Sequence, residues 1–136
     1  AILKKFLLYR TYHGCAMAPP VQTASIAAWN DEAHVLENRD QYRAKFEQLT
    51  PKIASVLGTG KPDASFYLWA RTPIADTDFA RGLYAAYNVV VLPGSFLART
   101  AYGVNPGANF VRIALVASLE ECAEAAERII QFSQQL

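Results

Sequence analysis

Val35, Tyr42, Phe46, Leu49, Ile53 and Val56 recur at intervals of three, four and seven, which lays one apolar stripe along a helix capped by Asp31 and running to about Leu57. Glu37, Asp40, Arg43 and Glu47 fall off that stripe and are expected in solvent. Pro51 sits inside the pattern and should kink the helix or start a second one; Gly58 and Gly60 end it. Upstream, Ile2-Leu3-Lys4-Lys5-Phe6-Leu7-Leu8 has amphipathic spacing and predicts a helix over Ala1–Tyr12, closed near His13-Gly14 by a left-handed glycine. A loop passes through Cys15 to Ala18. Pro19-Pro20 then suits the first positions of a short, alanine-rich helix over about Val21–Asn30, where a missing N–H costs nothing.

The second half changes period. Ser65–Arg71 reads as a strand whose apolar residues face both ways, so both faces are expected to be covered. Asp76 can cap a helix over Thr77–Tyr87, with Asn88 as its C-cap. Val89-Val90-Val91-Leu92 is a continuous buried-strand signal stopped by Pro93-Gly94. A loop of small and polar residues spans Ser95–Asn109, and Phe110–Val116 is a third strand. Ser118, three residues before Glu121, forms a capping box for a last helix whose buried side is Leu119, Cys122, Ala126, Ile129 and Ile130. The order predicts a single α/β domain of the α+β kind over residues 1–136, with one layer of helices on a small three-stranded sheet, mixed or antiparallel.

Composition narrows the class. Slightly over half of the 136 residues are hydrophobic and 18% are charged, a balance that supports a packed core. The net charge of +1 is scattered along the chain and gives no footprint for nucleic acid. No apolar run approaches the roughly 20 residues a membrane span needs. Cys15 and Cys122 are expected to be reduced thiols, which makes the cytoplasm the expected compartment. The chain opens on Ala1 with no initiator methionine and no N-cap before its first apolar helix, the start expected of a piece cut from a longer protein. Such a piece would expose Ile2, Phe6 and Leu7, so self-association is also expected.

Arg112 is the strongest candidate for chemistry. It is the only charge in Phe110-Val111-Arg112-Ile113-Ala114-Leu115. A guanidinium desolvated there needs an anion, and its planar fork fits a carboxylate through two hydrogen bonds. The plainer alternative is an outward-facing residue paired with a surface glutamate. His13 lies in an interhelix loop and could contact a ligand or act only as a local hydrogen-bonding group; His34 reads as a surface residue. No His/Cys spacing suits a metal. Ser65, Ser95 and Ser118 have no nucleophile-elbow context, and Gly103-Val104-Asn105-Pro106-Gly107 lacks the phosphate-loop pattern. Phe66, Tyr67 and Trp69 read as core.

Three segments in order, Ser65-Phe66-Tyr67-Leu68-Trp69, Asn88 to Phe96 and Phe110–Leu115 with the capped helix after it, resemble the C-terminal region of the fold-type-I pyridoxal-phosphate aminotransferases of class I/II. Leu8–Met17 and Ala27–Val35 look like one subgroup, the proteobacterial N-succinyldiaminopimelate aminotransferases of lysine and peptidoglycan-precursor synthesis. The resemblance implies that Arg112 pairs with the substrate α-carboxylate. It implies that the Tyr12–Ala18 loop approaches an active site, often the partner subunit's, with Arg10 and His13 as candidate substrate-binding residues, and that Pro93–Phe96 lies near the mouth.

The family's Schiff-base lysine, phosphate-binding arginine and pyridinium-partner aspartate lie upstream, and no matching segment is found here. Lys4, Lys5, Lys45, Lys52 and Lys61 read as solvated or turn residues without the buried setting of a nucleophile. The chain alone is therefore expected to bind no pyridoxal phosphate and to transfer no amino group, whereas the intact enzyme would be a homodimer acting on an amino acid and a 2-oxo acid such as 2-oxoglutarate. Other expectations stay open: an aspartate or aromatic transaminase, a β-lyase, or a free-standing α/β binding or oligomerisation domain.

Overall fold

A computed structural model of the chain describes residues 1–14 and 16–136; Cys15, and with it the expectation about its thiol, lies outside them. The elements follow the predicted order with one short helix added: α1 (Ile2–His13), α2 (Pro19–Trp29), α3 (Glu32–Ala54), β1 (Tyr67–Arg71), α4 (Asp76–Tyr87), β2 (Leu92–Pro93), α5 (Gly94–Leu97), β3 (Phe110–Ala114) and α6 (Leu119–Ser133). The chain divides into two compact units, Ala1–Glu37 and Asn38–Leu136.

In the first unit, α1 and α2 bury none of their residues, and Ile2, Phe6 and Leu7 are exposed. Pro19 and Pro20 occupy the first turn of α2, as their missing N–H groups dictate. Gly14 is not left-handed as expected but extended, at φ −149°; its N–H still donates to Arg10 O at 3.0 Å and closes α1. The carboxylate of Asp31 accepts from the backbone N–H groups of Ala33 (3.2 Å) and His34 (3.4 Å), the N-cap contact predicted for α3.

The second unit carries the core. Leu49, Ile53, Leu68, Phe79, Leu83, Val111 and Ile129 are its largest fully buried side chains, drawn from α3, β1, α4, β3 and α6. Burying each contributes about 1.5–3 kcal/mol. Helix α3 runs unbroken through Pro51, against the expected kink or restart. Leu49, Thr50 and Ile53 around it are all buried, and their packing offsets the lost hydrogen bond. Lys45, expected on the solvated flank of the stripe, is also buried: its ammonium donates to Leu115 O at 3.0 Å and lies 4.9 Å from the centre of the Tyr42 ring.

The sheet is antiparallel throughout, in the order β1-β3-β2. Its register pairs Leu68 with Ile113, Ala70 with Val111, and Pro93 with Val111, all buried on the inner face. Two strand expectations fail. The β1 run is covered on one face only, leaving Trp69 36% exposed, and Phe66, just ahead of the strand, is 44% exposed. The Val89–Leu92 run pairs only through Leu92–Pro93, with Val90 exposed. Pro93 is tolerated because β2 is an edge strand. Beyond it, Gly94 opens α5 instead of a loop. Helix α6 has its capping box: Ser118 Oγ accepts from Glu121 N (3.2 Å), and Ser118 N donates to the Glu121 carboxylate (3.0 Å). Its buried side is Cys122, Ala126, Ile129 and Phe132; Leu119 and Ile130 are only half-buried.

Candidate functional site

The open face of the sheet is the counterpart of the buried one. Alternation along β1 and β3 puts Tyr67, Trp69, Arg71, Phe110 and Arg112 outward. Register sets Arg112 directly across from Trp69 on one side and Leu92 on the other. Its guanidinium carbon lies 5.7 Å from the centre of the Tyr67 ring, within cation–π range. The indole of Trp69 stacks on Phe110, with centroids 5.6 Å apart and planes 11° apart.

Arg112 is half-buried in this aromatic setting, and its Nε is sealed from solvent without any hydrogen-bond partner. Thr50 Oγ1 is the other such side-chain atom among the described residues, but a neutral hydroxyl in the core costs far less than a charged donor. The plainer alternative for Arg112, a surface glutamate partner, is not met: among the described residues no carboxylate lies in ion-pair range of it. A desolvated, fork-shaped cation with a free donor is suited to hold a carboxylate. Tyr67 and Trp69 are therefore not core residues, as the apolar run suggested; they flank this cation on the open face, whereas Phe66, also exposed, lines a separate hollow with Tyr42 and Phe46 of α3.

A shallow concavity of about 340 Å³ is lined by Tyr67 and Trp69, the two aromatic neighbours of Arg112, together with Leu97, Ala98, Pro106 and Gly107. One wall is β1; the other belongs to the Gly94–Asn109 segment. That wall is held by Asp76, whose place in the sequence suits a simple helix cap. Asp76 is instead the first residue of α4, with Ala75 as N-cap, and its side chain reaches away from the helix. Oδ2 accepts from Ser95 N at 2.8 Å and Oδ1 from Asn109 N at 3.3 Å. Burial pushes its pKa up, and the hydrogen bonds from Ser95 and Asn109 more than offset this, so it sits below the ordinary aspartate value of 3.8. No local sequence signal marks this role, because the partners lie 19 and 33 residues away.

The other predicted site residues belong to the first unit. His13 is not in a loop but is the last residue of α1; its ring stacks on Tyr9 at 4.5 Å, and Nδ1 lies 3.3 Å from Tyr9 O. Arg10 lies one turn earlier, exposed, with its guanidinium over Gly14. His34 pairs with Asp31 at the surface, as expected. Arg112 lies in the second unit. Among the described residues no cluster of His, Cys, Asp or Glu could hold a metal, and no helix is long and apolar enough to cross a membrane.

The lysines bear on where a cofactor could sit. Lys4 and Lys5 are exposed on α1, Lys52 pairs with Glu127 (2.7 Å), Lys61 with Glu47 (3.6 Å), and the buried Lys45 is committed to Leu115 O. Lys45, Lys52 and Lys61, the lysines of the second unit, are thus engaged with Leu115 O, Glu127 and Glu47.

Comparison with known proteins shows the family of the chain. The model of the family "Aminotransferase class I and II" matches residues 7–129. A solved aminotransferase from Neisseria meningitidis is 54% identical, with a TM-score of 0.83, over 95% of this chain and 33% of that one. A protein of Mycobacterium tuberculosis described as a probable aminotransferase is 35% identical over 129 residues, 94% of this chain and 29% of its own length. A Thermus thermophilus structure described as a probable N-succinyldiaminopimelate aminotransferase is 34% identical with a TM-score of 0.63, over 76% of this chain and 27% of that one. The chain thus spans about a third or less of the length of these relatives. It belongs to the class I and II aminotransferase family.

Proposed function

We propose that this chain is the carboxyl-terminal part of a pyridoxal-phosphate-dependent aminotransferase, and that Arg112 grips the substrate α-carboxylate. The observation that carries the reading is the buried, unpartnered Nε of a guanidinium set among Tyr67, Trp69 and Leu92 on the open face of the sheet. A carboxylate arriving there replaces lost water with charge-assisted hydrogen bonds, and the rings keep the local dielectric low. Fixing one end of the amino acid leaves its Cα–H bond with few orientations, so binding energy is converted into alignment. Bound pyridoxal phosphate supplies the electron sink; the groups that hold it and the lysine that moves the proton come from the rest of the polypeptide. This chain alone transfers no amino group.

For the substrate, we take N-succinyl-LL-diaminopimelate with 2-oxoglutarate as amino acceptor, in a cytoplasmic homodimer. The segments Leu8–Met17 and Ala27–Val35 and the likeness to the Thermus thermophilus protein support that reading. Arg10 and His13, one helical turn apart at the end of α1, are the further candidates for substrate contact in the complete dimer, where this segment is read as approaching the partner subunit's site. The apolar concavity beside Arg112 favours a second reading, a donor with an aromatic or aliphatic side chain. The complete enzyme, assayed with N-succinyl-LL-diaminopimelate, aspartate, phenylalanine and tyrosine against 2-oxoglutarate, separates the two. Comparable turnover of wild type and Arg112→Ala would remove the role given to Arg112.

A further inference from the structure

We infer that Asp76 is a positioning residue for donor selectivity: its carboxylate clamps both ends of the Ser95–Asn109 segment and so fixes the wall of the concavity beside Arg112. The inference rests on the reading of Arg112 as the carboxylate grip.

Asp76 is 4% exposed, and among the described residues it has no cation in ion-pair range. Its charge is balanced by dipoles: the N-terminus of α4, to which it belongs, and the N–H groups of Ser95 and Asn109. The two acceptor oxygens thus hold the start and the end of one surface segment. Between those anchors Asn105 adds an inner staple, its Nδ2 donating to Ser95 O (3.1 Å) and its Oδ1 accepting from Gly107 N (2.9 Å). Gly94 and Gly107 lie backbone against backbone, and a Cβ on Gly94 would come within 2.8 Å of the Trp69 ring.

Each of these contacts sets the distance from Leu97, Ala98, Pro106 and Gly107 to Tyr67 and Trp69, the two walls of the concavity. Tyr67 and Trp69 are also the residues that flank Arg112. A donor whose carboxylate is held by Arg112 therefore presents its substituents beside a wall that Asp76 keeps in place. A helix cap would need only a local contact; a carboxylate spanning two distant backbone groups fixes a surface, and sites lose function when such supports slacken by fractions of an ångström.

Asp76→Asn tests this, because it puts an amide NH2 against one of the two N–H donors. In the complete, cofactor-loaded enzyme, KM for the preferred donor should rise about tenfold or more with kcat nearly unchanged, the scale of one lost charge-assisted hydrogen bond. The ratio of kcat/KM between aromatic and dicarboxylic donors should change as well. In this chain by itself, amide hydrogen exchange at Ser95 and Asn109 should accelerate together. Faster exchange with an unchanged donor ratio would overturn the inference and leave Arg112 standing; an Arg112→Ala enzyme with normal kcat/KM would sink the reading beneath it. If Asp76→Asn does not fold, Asn105→Ala, which cuts only the inner staple, must shift the donor ratio in its place, and an unshifted ratio there overturns the clamp.

Discussion

Gly94 and Gly107 touch through their main chains: a Cβ built on Gly107 falls onto the Gly94 carbonyl, and one built on Gly94 falls onto the Gly107 oxygen. The start and the end of the segment that walls the open face can meet only because neither residue has a side chain. The obstruction is backbone, which cannot swing aside. Gly107→Ala should therefore destabilise the chain by about 3 kcal/mol, the upper range for overpacking, whereas Gly60→Ala, with nothing within 4 Å of the new atom, should stay within about 0.5 kcal/mol. Urea denaturation midpoints of the two variants check this; equal midpoints would mean the glycine contact is looser than described.

Arg112 should matter to activity and not to stability. In the complete enzyme Arg112→Ala should lose roughly 3–5 kcal/mol of transition-state stabilisation in kcat/KM, the scale for removing the partner of a buried charge. In this chain alone, Arg112→Met removes an unpartnered buried donor and should leave the thermal midpoint unchanged or higher. A marked fall in that midpoint would assign the guanidinium a structural role.

Asp76 makes acid stability asymmetric. Its folded pKa lies below 3.8, so its contribution is complete above the unfolded value and is lost as pH falls through the folded one. Between pH 5 and 2 the urea midpoint of the wild-type chain should drop more steeply than that of Asp76→Asn, with the divergence beginning near pH 4. Parallel acid limbs would show that the carboxylate is no better solvated by Ser95 and Asn109 than by water.

The buried Cys122 donates weakly to Ala117 O at 3.5 Å, and burial raises its thiol pKa above the ordinary value. In a Cys15→Ser background, native protein at pH 8 should resist alkylation by iodoacetamide, and unfolding in urea should restore ordinary thiol reactivity. Rapid labelling of the folded chain, followed by mass spectrometry, would contradict the packing of α6.

What the sequence determined by itself was the set of decisions taken within a few residues. The apolar stripe of α3, the prolines opening α2, the left-handed Asn88 closing α4 and the Ser118–Glu121 box each rest on contacts inside one or two helical turns. Arg112 stood out for a similar reason, one charge in an apolar strand. Tertiary structure decided whatever depended on a distant layer. An apolar run cannot state whether a second layer covers it, so Trp69 reads as core yet lies on an open face, and Phe66 and Val90 read as buried yet are exposed. Pro51 reads as a break, but the packing of Leu49 and Ile53 carries the helix through it. Asp76 reads as a cap because the N–H groups it serves are distant in sequence and are brought to it only by the fold.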